Sequence, residues 1–225
     1  MKRVSGRNLV VMLAVALFVG WLAARAEGQE AGKGEQAQET KRIKTPRERI
    51  AERYFPNVAL TTHEGKKVRF YDDLMKGKIV IINFMYAKCE GSCPGTTANL
   101  LKLQQLLGDR VGKDIFMYSI TLKPEQDTPE VLGRYAKAYK TKPGWLFLTG
   151  DPNDVELLRR SLGFIDRDPA RDAVKSNHIG MLRYGNEPLM LWAGCPGMMQ
   201  PSKIAHVIGL VDWPKAEEAR RGGER

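Results

Sequence analysis

The sequence lacks the patterns on which several large enzyme classes depend. It has no glycine-rich phosphate loop, no carboxylate pair placed for acid–base catalysis and no Ser-His-Asp order, so it gives no support to nucleotide-dependent or triad-based chemistry. It also contains no internal repeat, which argues against repeat architectures. Histidine and cysteine are scarce, with three of each among 225 residues. A site built from these side chains can therefore involve only a few positions.

The charge of the chain is positive, but it is not organised for nucleic-acid binding. The formal net charge is +10, from 36 basic and 26 acidic residues. Four of the basic residues, Lys2, Arg3, Arg7 and Arg25, belong to the N-terminal segment, and the others are scattered. No basic run is interleaved with aromatic residues, so we expect no nucleic-acid partner. The hydrophobic content of 43% is sufficient for the core of one ordinary domain with appendages.

The N-terminus has the pattern of a bacterial export signal. Lys2 and Arg3 precede the uncharged apolar stretch 9–24, and Ala24-Arg25-Ala26 offers a small-x-small cleavage site. The stretch is slightly short for a membrane span of about 20 residues. We therefore expect residues 1–26 to act as a signal peptide or, alternatively, as an inner-membrane anchor. In both cases the protein is periplasmic, where disulfides can form.

Composition divides the rest of the chain into three parts. Residues 27–45 have almost no apolar content, which predicts a disordered linker. Residues 46–214 form the predicted domain, and residues 215–225 form a polar tail.

The order of predicted elements indicates an α/β fold. A β-hairpin comes first, with strands at Val58–Thr61 and Lys67–Phe70. Buried strands follow at 79–85, 115–120 and 145–148, alternating with helices near 94–107, after Thr128-Pro129 and after Asp151-Pro152. A second hairpin turning at Gly185-Asn186 and a helix over 202–211 close the domain. This order predicts a thioredoxin-like fold with an N-terminal β-hairpin and a βα insertion.

Two cysteines provide the main chemical signal. Cys89 and Cys93 lie between the first buried strand and its helix, and Pro94 suits the first helical turn. The helix N-terminus favours a thiolate, which serves both as nucleophile and as metal ligand. Positions four apart on a helix have Cβ atoms about 5–6 Å apart, wider than a disulfide prefers. The residues alone therefore leave three alternatives, namely a soft-metal site, a redox-active pair and a structural disulfide.

Three motifs in this order resemble the SCO/SenC family of thioredoxin-fold copper proteins. They are Cys-x-x-x-Cys-Pro at 89–94, Asp127-Thr128-Pro129-Glu130-Val131-Leu132, and His178 before a hairpin strand. The resemblance implies a copper ion bound by Cys89, Cys93 and His178. It also implies a chaperone that delivers copper to, or reduces the cysteines of, the copper site of cytochrome c oxidase. The implied partner is the copper-site subunit of that oxidase or another periplasmic copper protein.

The chain departs from the family pattern in places. Glu90-Gly91 stands where Pro-Asp usually follows the first cysteine, and the segment after the second core strand is stretched to Thr121-Leu122-Lys123-Pro124. Cys195 is an additional thiol. Its glycine and proline neighbours predict an exposed loop, where it is either a bystander or a resolving thiol for the pair. Met198 and Met199 beside it are candidate soft donors, although methionine more often fills apolar gaps.

A thiol–disulfide oxidoreductase is the alternative function. Such proteins typically use Cys-x-x-Cys and carry a proline before the strand that follows the loop, whereas this chain has one more residue between the cysteines and His178 at that strand entry. We therefore expect a metallochaperone rather than an enzyme. We expect Asp127 to stabilise the start of the following helix through its negative charge. The alternative is a carboxylate that supports the site from behind its ligands or faces a partner protein.

Overall fold

The computed structural model describes residues 43–89, 91–174 and 180–212. The predicted signal segment 1–26, the tail 215–225, most of the linker and His178 lie outside these ranges. None of the helices in the described ranges combines the length and the apolarity that a membrane span requires.

In the residues that the structure describes, seven strands form one mixed sheet with helices between them. The strands are β1 (Ala59–Thr62), β2 (Lys67–Arg69), β3 (Ile79–Met85), β4 (Ile115–Thr121), β5 (Trp145–Gly150), β6 (Met181–Asn186) and β7 (Leu191–Pro196). The α-helices are α1 (Pro46–Tyr54), α2 (Cys93–Leu107), α3 (Pro129–Ala138), α4 (Pro152–Ser161), α5 (Pro169–Ala173) and α6 (Pro201–Val211). A π-helical segment covers Phe70–Met75, and a 3₁₀ turn covers Gly108–Arg110.

The sheet has the order β2-β1-β5-β4-β3-β6-β7. Its centre is parallel, because β4 pairs with both β3 and β5 in the same direction. The outer strands are antiparallel, with β6 against β3, β7 against β6 and the N-terminal hairpin against β5. This arrangement confirms the predicted thioredoxin-like α/β fold with an added N-terminal hairpin.

Strand β3 lies at the centre of the core. All seven of its residues are buried, as expected for a strand with neighbours on both sides and helices over the sheet. Its one polar residue is satisfied, since Asn83 Oδ1 accepts a hydrogen bond of 2.7 Å from Ser119 Oγ. Trp145 Nε1 donates in turn to that hydroxyl at 2.9 Å. The central strands therefore form a rigid base from which the cysteine segment emerges.

The helix starts follow the predicted capping pattern. Thr128 Oγ1 accepts a hydrogen bond from Val131 N at the start of α3, and Asp151 Oδ1 accepts from Asn153 N at the start of α4. Helix α1 was not predicted, because it buries only Ala51 and so has no extended apolar stripe in its sequence. It is held to the domain by Arg47, which pairs with the buried carboxylate of Glu187 at 2.7 Å.

The turn predicted at Gly185-Asn186 is wrong by several residues. Strand β6 continues through both positions, and the turn occupies residues 187–190, where Met190 adopts a φ of +53°. Gly185 is needed for packing rather than for turning. A Cβ atom there would lie 2.2 Å from Cε3 of Trp192 and 2.6 Å from the carbonyl oxygen of Leu191. Sequence alone cannot distinguish a glycine that turns from one that is covered by a neighbouring ring.

Gly185→Ala should therefore destabilise the domain. The clash with Leu191 involves backbone of the paired strand, so relief requires the β6–β7 ladder to open, at a cost of about 1–3 kcal/mol in the free energy of unfolding. Gly209→Ala is the matched control, because a Cβ at this position of α6 meets nothing within 4 Å. Denaturant unfolding should show a lower midpoint for the first variant and an unchanged or higher one for the second. Equal midpoints would contradict the packing role.

Candidate functional site

The two cysteines of the motif lie where the central strand meets its helix. Strand β3 ends at Met85, and α2 begins at Cys93 itself with Pro94 in its first turn. Both side chains are buried, with 7% of Cys89 and 2% of Cys93 exposed. The predicted position at a helix N-terminus is confirmed for Cys93. The positive end of the α2 dipole therefore faces this segment of the chain.

Asp127 holds the cysteine segment in place. Its side chain is only 2% exposed, and its Oδ2 accepts hydrogen bonds from Ala87 N at 3.0 Å and from Thr121 Oγ1 at 2.6 Å. It thereby ties the end of β4 to the turn that leads from β3 to Cys89. Sequence reasoning assigned Asp127 to the start of α3 and missed this contact, because no local pattern links residues 40 apart in the chain.

The environments of the two thiols differ. Burial raises the pKa of Cys89, but hydrogen bonds from the Cys93 side chain and N–H, the Tyr86 side chain and the Gly91 N–H outweigh burial and lower the pKa below its ordinary 9.0. Burial and the hydrogen bond to Cys89 raise the pKa of Cys93 to about 12. The first proton therefore leaves Cys89, and the thiol of Cys93 donates to the resulting thiolate.

This hydrogen-bonded pair can do two things chemically. The three cysteines of the chain are present as thiols, and the hydrogen bond between Cys89 and Cys93 places their sulfurs side by side. One soft metal ion can bind both sulfurs once the second proton is displaced. Alternatively, the Cys89 thiolate can attack a disulfide, after which Cys93 displaces the partner. The geometry of the pair is compatible with both reactions.

The third predicted ligand, His178, lies outside the described residues. The structure resumes at Gly180, whose carbonyl oxygen accepts a hydrogen bond of 2.7 Å from Gly197 N. A Cβ atom at Gly180 would lie 3.7 Å from Oγ of Ser92, the residue before Cys93. Within the described ranges, no three side chains of the His, Cys, Asp and Glu types converge in a metal-binding arrangement.

Cys195 does not lie in the predicted exposed loop. It is part of β7 opposite Leu182 and is 5% exposed, and this burial raises its pKa. Gly194, which suggested a loop, instead allows close packing within the strand. A Cβ atom at this position would lie 2.5 Å from Nη1 of Arg183. The expectation that Cys195 is less reactive than the pair agrees with its raised pKa in the comparison with Cys89, whose pKa is lowered, whereas the pKa of Cys93 is raised as well.

We expect the alkylation of Cys89 to report the hydrogen bond from Cys93. With iodoacetamide, the pH midpoint of Cys89 modification should lie below 9.0, because the hydrogen bonds stabilise the thiolate. Cys93→Ala removes one donor and should move the midpoint upward. Cys195→Ala is the control and should leave it unchanged. Peptide mass spectrometry across pH gives the midpoints, and earlier modification of Cys195 than of Cys89 would contradict the assignment.

Comparison with known proteins gives the family. The SCO1/SenC family model matches residues 46–181. An SCO1 protein homolog of Bacillus subtilis is 33% identical over 88 residues, which cover 39% of this chain and 44% of the relative. The chain therefore matches less than half the length of that curated relative.

Two solved structures share the fold. ScoI of Bradyrhizobium japonicum, solved with copper bound, superposes with a TM-score of 0.55 at 21% identity and covers 68% of this chain and 96% of its own. BsSco, described as a cytochrome c oxidase assembly protein with a disulfide switch, gives a TM-score of 0.56 at 24% identity, over 68% of this chain and 90% of its own. Identities this low show the fold alone. The family match over residues 46–181 goes further, and the chain belongs to the SCO1/SenC family.

Proposed function

We propose that this protein is a periplasmic copper-binding chaperone that delivers copper to, or reduces the cysteines of, the copper site of cytochrome c oxidase. The observation that carries the proposal is the buried, hydrogen-bonded pair of Cys89 and Cys93 at the start of α2 in an SCO1/SenC domain. The binding of copper by ScoI and the oxidase-assembly role of BsSco support the choice of cargo and partner.

The donor set suits copper. Two thiolates are soft ligands, and an imidazole completes a three-coordinate set that suits copper(I) and also accepts copper(II). The lowered pKa of Cys89 favours its thiolate, and the raised pKa of Cys93 makes metal uptake release a proton. The two thiols therefore fit a site whose affinity for copper rises with pH.

His178 is the third ligand in this proposal. The described chain resumes two residues later at Gly180, beside Ser92 and therefore next to Cys93. The SCO1/SenC family match over residues 46–181 includes this position. The N-terminal segment 1–26 would export the domain, either cleaved or retained as an anchor.

The split in thiol acidity favours thiol–disulfide exchange as the second candidate function. The Cys89 thiolate would attack a partner disulfide and form a mixed disulfide, with the partner's other sulfur leaving as thiolate. Cys93, after losing its proton, would then attack Cys89 Sγ and release the second partner thiolate. The partner gains two electrons, and the chain ends with a Cys89–Cys93 disulfide. BsSco, with its disulfide switch, supports this alternative.

Copper binding should require both cysteines of the pair. The reduced full chain should retain one copper(I) per molecule after desalting, whereas Cys89→Ser and Cys93→Ser should each lose it, because one thiolate and one imidazole are too few donors. Cys195→Ser is the matched control and should retain copper, since its thiol is buried in β7. His178→Ala should weaken copper(II) more than copper(I), because two thiolates can still hold copper(I) linearly. Stoichiometric copper in the double serine variant would exclude the pair as the site.

Asp127 should affect copper binding through the position of the cysteine segment. Asp127→Ala removes the acceptor for Ala87 N and Thr121 Oγ1, and we expect copper affinity to fall by about 10–100-fold. Asp151→Ala is the control. It removes the N-cap of α4, which follows β5, and β5 lies two positions from β3 in the sheet. The loss of this cap should lower the free energy of unfolding by about 1 kcal/mol. Competition with a chromophoric chelator measures both affinities. Equal affinities in the two variants would limit Asp127 to a structural role.

A further inference from the structure

A cavity of about 620 Å³ is lined by α1, by the C-terminal end of α4 and by strands β3, β6 and β7. This volume is typical of sites that bind small molecules. Neither Cys89 nor Cys93 belongs to its lining. The cavity is therefore separate from the cysteine pair, and the functions considered above make no use of it.

Pairing between β6 and β7 forms the floor of the cavity. Arg183 lies opposite Gly194, and Gly185 lies opposite Trp192. These four residues share one face of the sheet, because positions two apart on a strand point the same way. In each pair the large side chain covers the glycine, since an added Cβ would lie 2.5 Å from Nη1 of Arg183 or 2.2 Å from Cε3 of Trp192. Both large side chains therefore lie across the sheet, which leaves room for the cavity above them.

The walls of the cavity are mostly apolar. Phe55 packs on the floor, with its ring centroid 4.5 Å from that of Trp192. On α1, Ile50 and Tyr54 line the cavity and are both about half exposed. Apolar surface of α1 thus remains in contact with water at the open side. Covering this surface with an apolar ligand is favourable, because it removes apolar area from water.

Two guanidinium groups line the cavity, and their charges are balanced differently. Arg47 pairs with the buried carboxylate of Glu187 at 2.7 Å. Arg183 instead donates to carbonyl oxygens, from Nε to Leu162 at 3.1 Å and from Nη2 to Gly163 at 3.2 Å. Within the described part of the chain, it has no carboxylate partner and its Nη1 donates no hydrogen bond. The two bonds satisfy the end of α4 but use only two of the five N–H donors of an arginine.

We propose that this cavity binds a fatty acid, with the carboxylate at Arg183 and the hydrocarbon chain along the apolar walls. One carboxylate balances the one guanidinium that lacks an acidic partner, and it accepts charge-assisted hydrogen bonds from Nη1. A neutral hydrocarbon would cover Arg183 without pairing its charge, which is costly. A doubly charged phosphate would leave one excess negative charge in an apolar cavity. This inference does not depend on copper binding.

The test is isothermal titration calorimetry of the full chain with four ligands below their micelle concentrations. Decanoate carries both the charge and the chain, decanol lacks the charge, acetate lacks the chain, and decyl phosphate carries a larger charge. Decanoate should bind one per molecule, about tenfold tighter than decanol and decyl phosphate, since only its charge is matched. Acetate should give no measurable binding.

Two variants locate the ligand in the cavity. Arg183→Met removes the charge and should weaken decanoate binding about tenfold. Because Arg183 also bonds the end of α4, a second variant leaves it in place. Ile50→Glu adds a negative charge at the 47% exposed wall of the cavity and should weaken decanoate by about the same factor, through repulsion. Ile165→Glu is the matched control, because Ile165 is 42% exposed and lies outside the lining.

The results that would overturn this inference are distinct. Equal affinities for decanoate and decanol would show that Arg183 recognises no charge, and tighter binding of decyl phosphate would reject the carboxylate. Unchanged decanoate binding in Ile50→Glu, or the same loss in Ile165→Glu, would show that the ligand binds elsewhere. Absence of decanoate binding would also refute the inference. None of these results bears on the proposed copper function, because neither cysteine lines the cavity.

Discussion

The buried carboxylate of Asp127 is the contact on which the geometry of the site depends. It joins the end of β4, through Thr121, to the turn after β3, through Ala87 N. The strands themselves are fixed by the parallel pairing of β3 and β4 over seven residues. This tie lies at the beginning of the cysteine segment, and the first turn of α2 lies at its end. Both sulfurs are therefore positioned before any ligand arrives, which lowers the entropic cost of binding.

This placement gives the two thiols opposite properties within one site. Hydrogen bonds favour the thiolate of Cys89, whereas burial keeps the proton on Cys93. A pair in which one thiolate is favoured and the other thiol keeps its proton can bind a soft ion with release of that proton, or attack a disulfide and then resolve the product. The proposed copper binding and the alternative thiol exchange would thus draw on the same electrostatic arrangement. An ion bound by both sulfurs would block the exchange reaction, so the two proposed activities would exclude each other at any one moment.

Local patterns in the sequence predicted the elements that carry the site. The β-branched run of β3, Pro94 after the second cysteine and the caps Thr128 and Asp151 all act within a few residues, and the structure confirms each of them. The family resemblance in the three motifs is confirmed as well.

The wrong predictions concern residues whose environment is set by contacts with distant parts of the sequence. Gly185 is covered by Trp192, Cys195 is buried by the β6 pairing, and Asp127 reaches back to Ala87. None of these contacts has a signature in the local sequence, because each depends on which strands become neighbours.

X-ray absorption at the copper edge, on the reduced full chain loaded with one copper(I), tests the role of the pair most directly. The ligand shell should contain two sulfur atoms and one nitrogen atom, from Cys89, Cys93 and His178. Replacing Cys195 with serine should leave this shell unchanged. A shell without sulfur, or one that loses a sulfur in the Cys195→Ser protein, would show that copper binds elsewhere and would contradict the assignment of the pair.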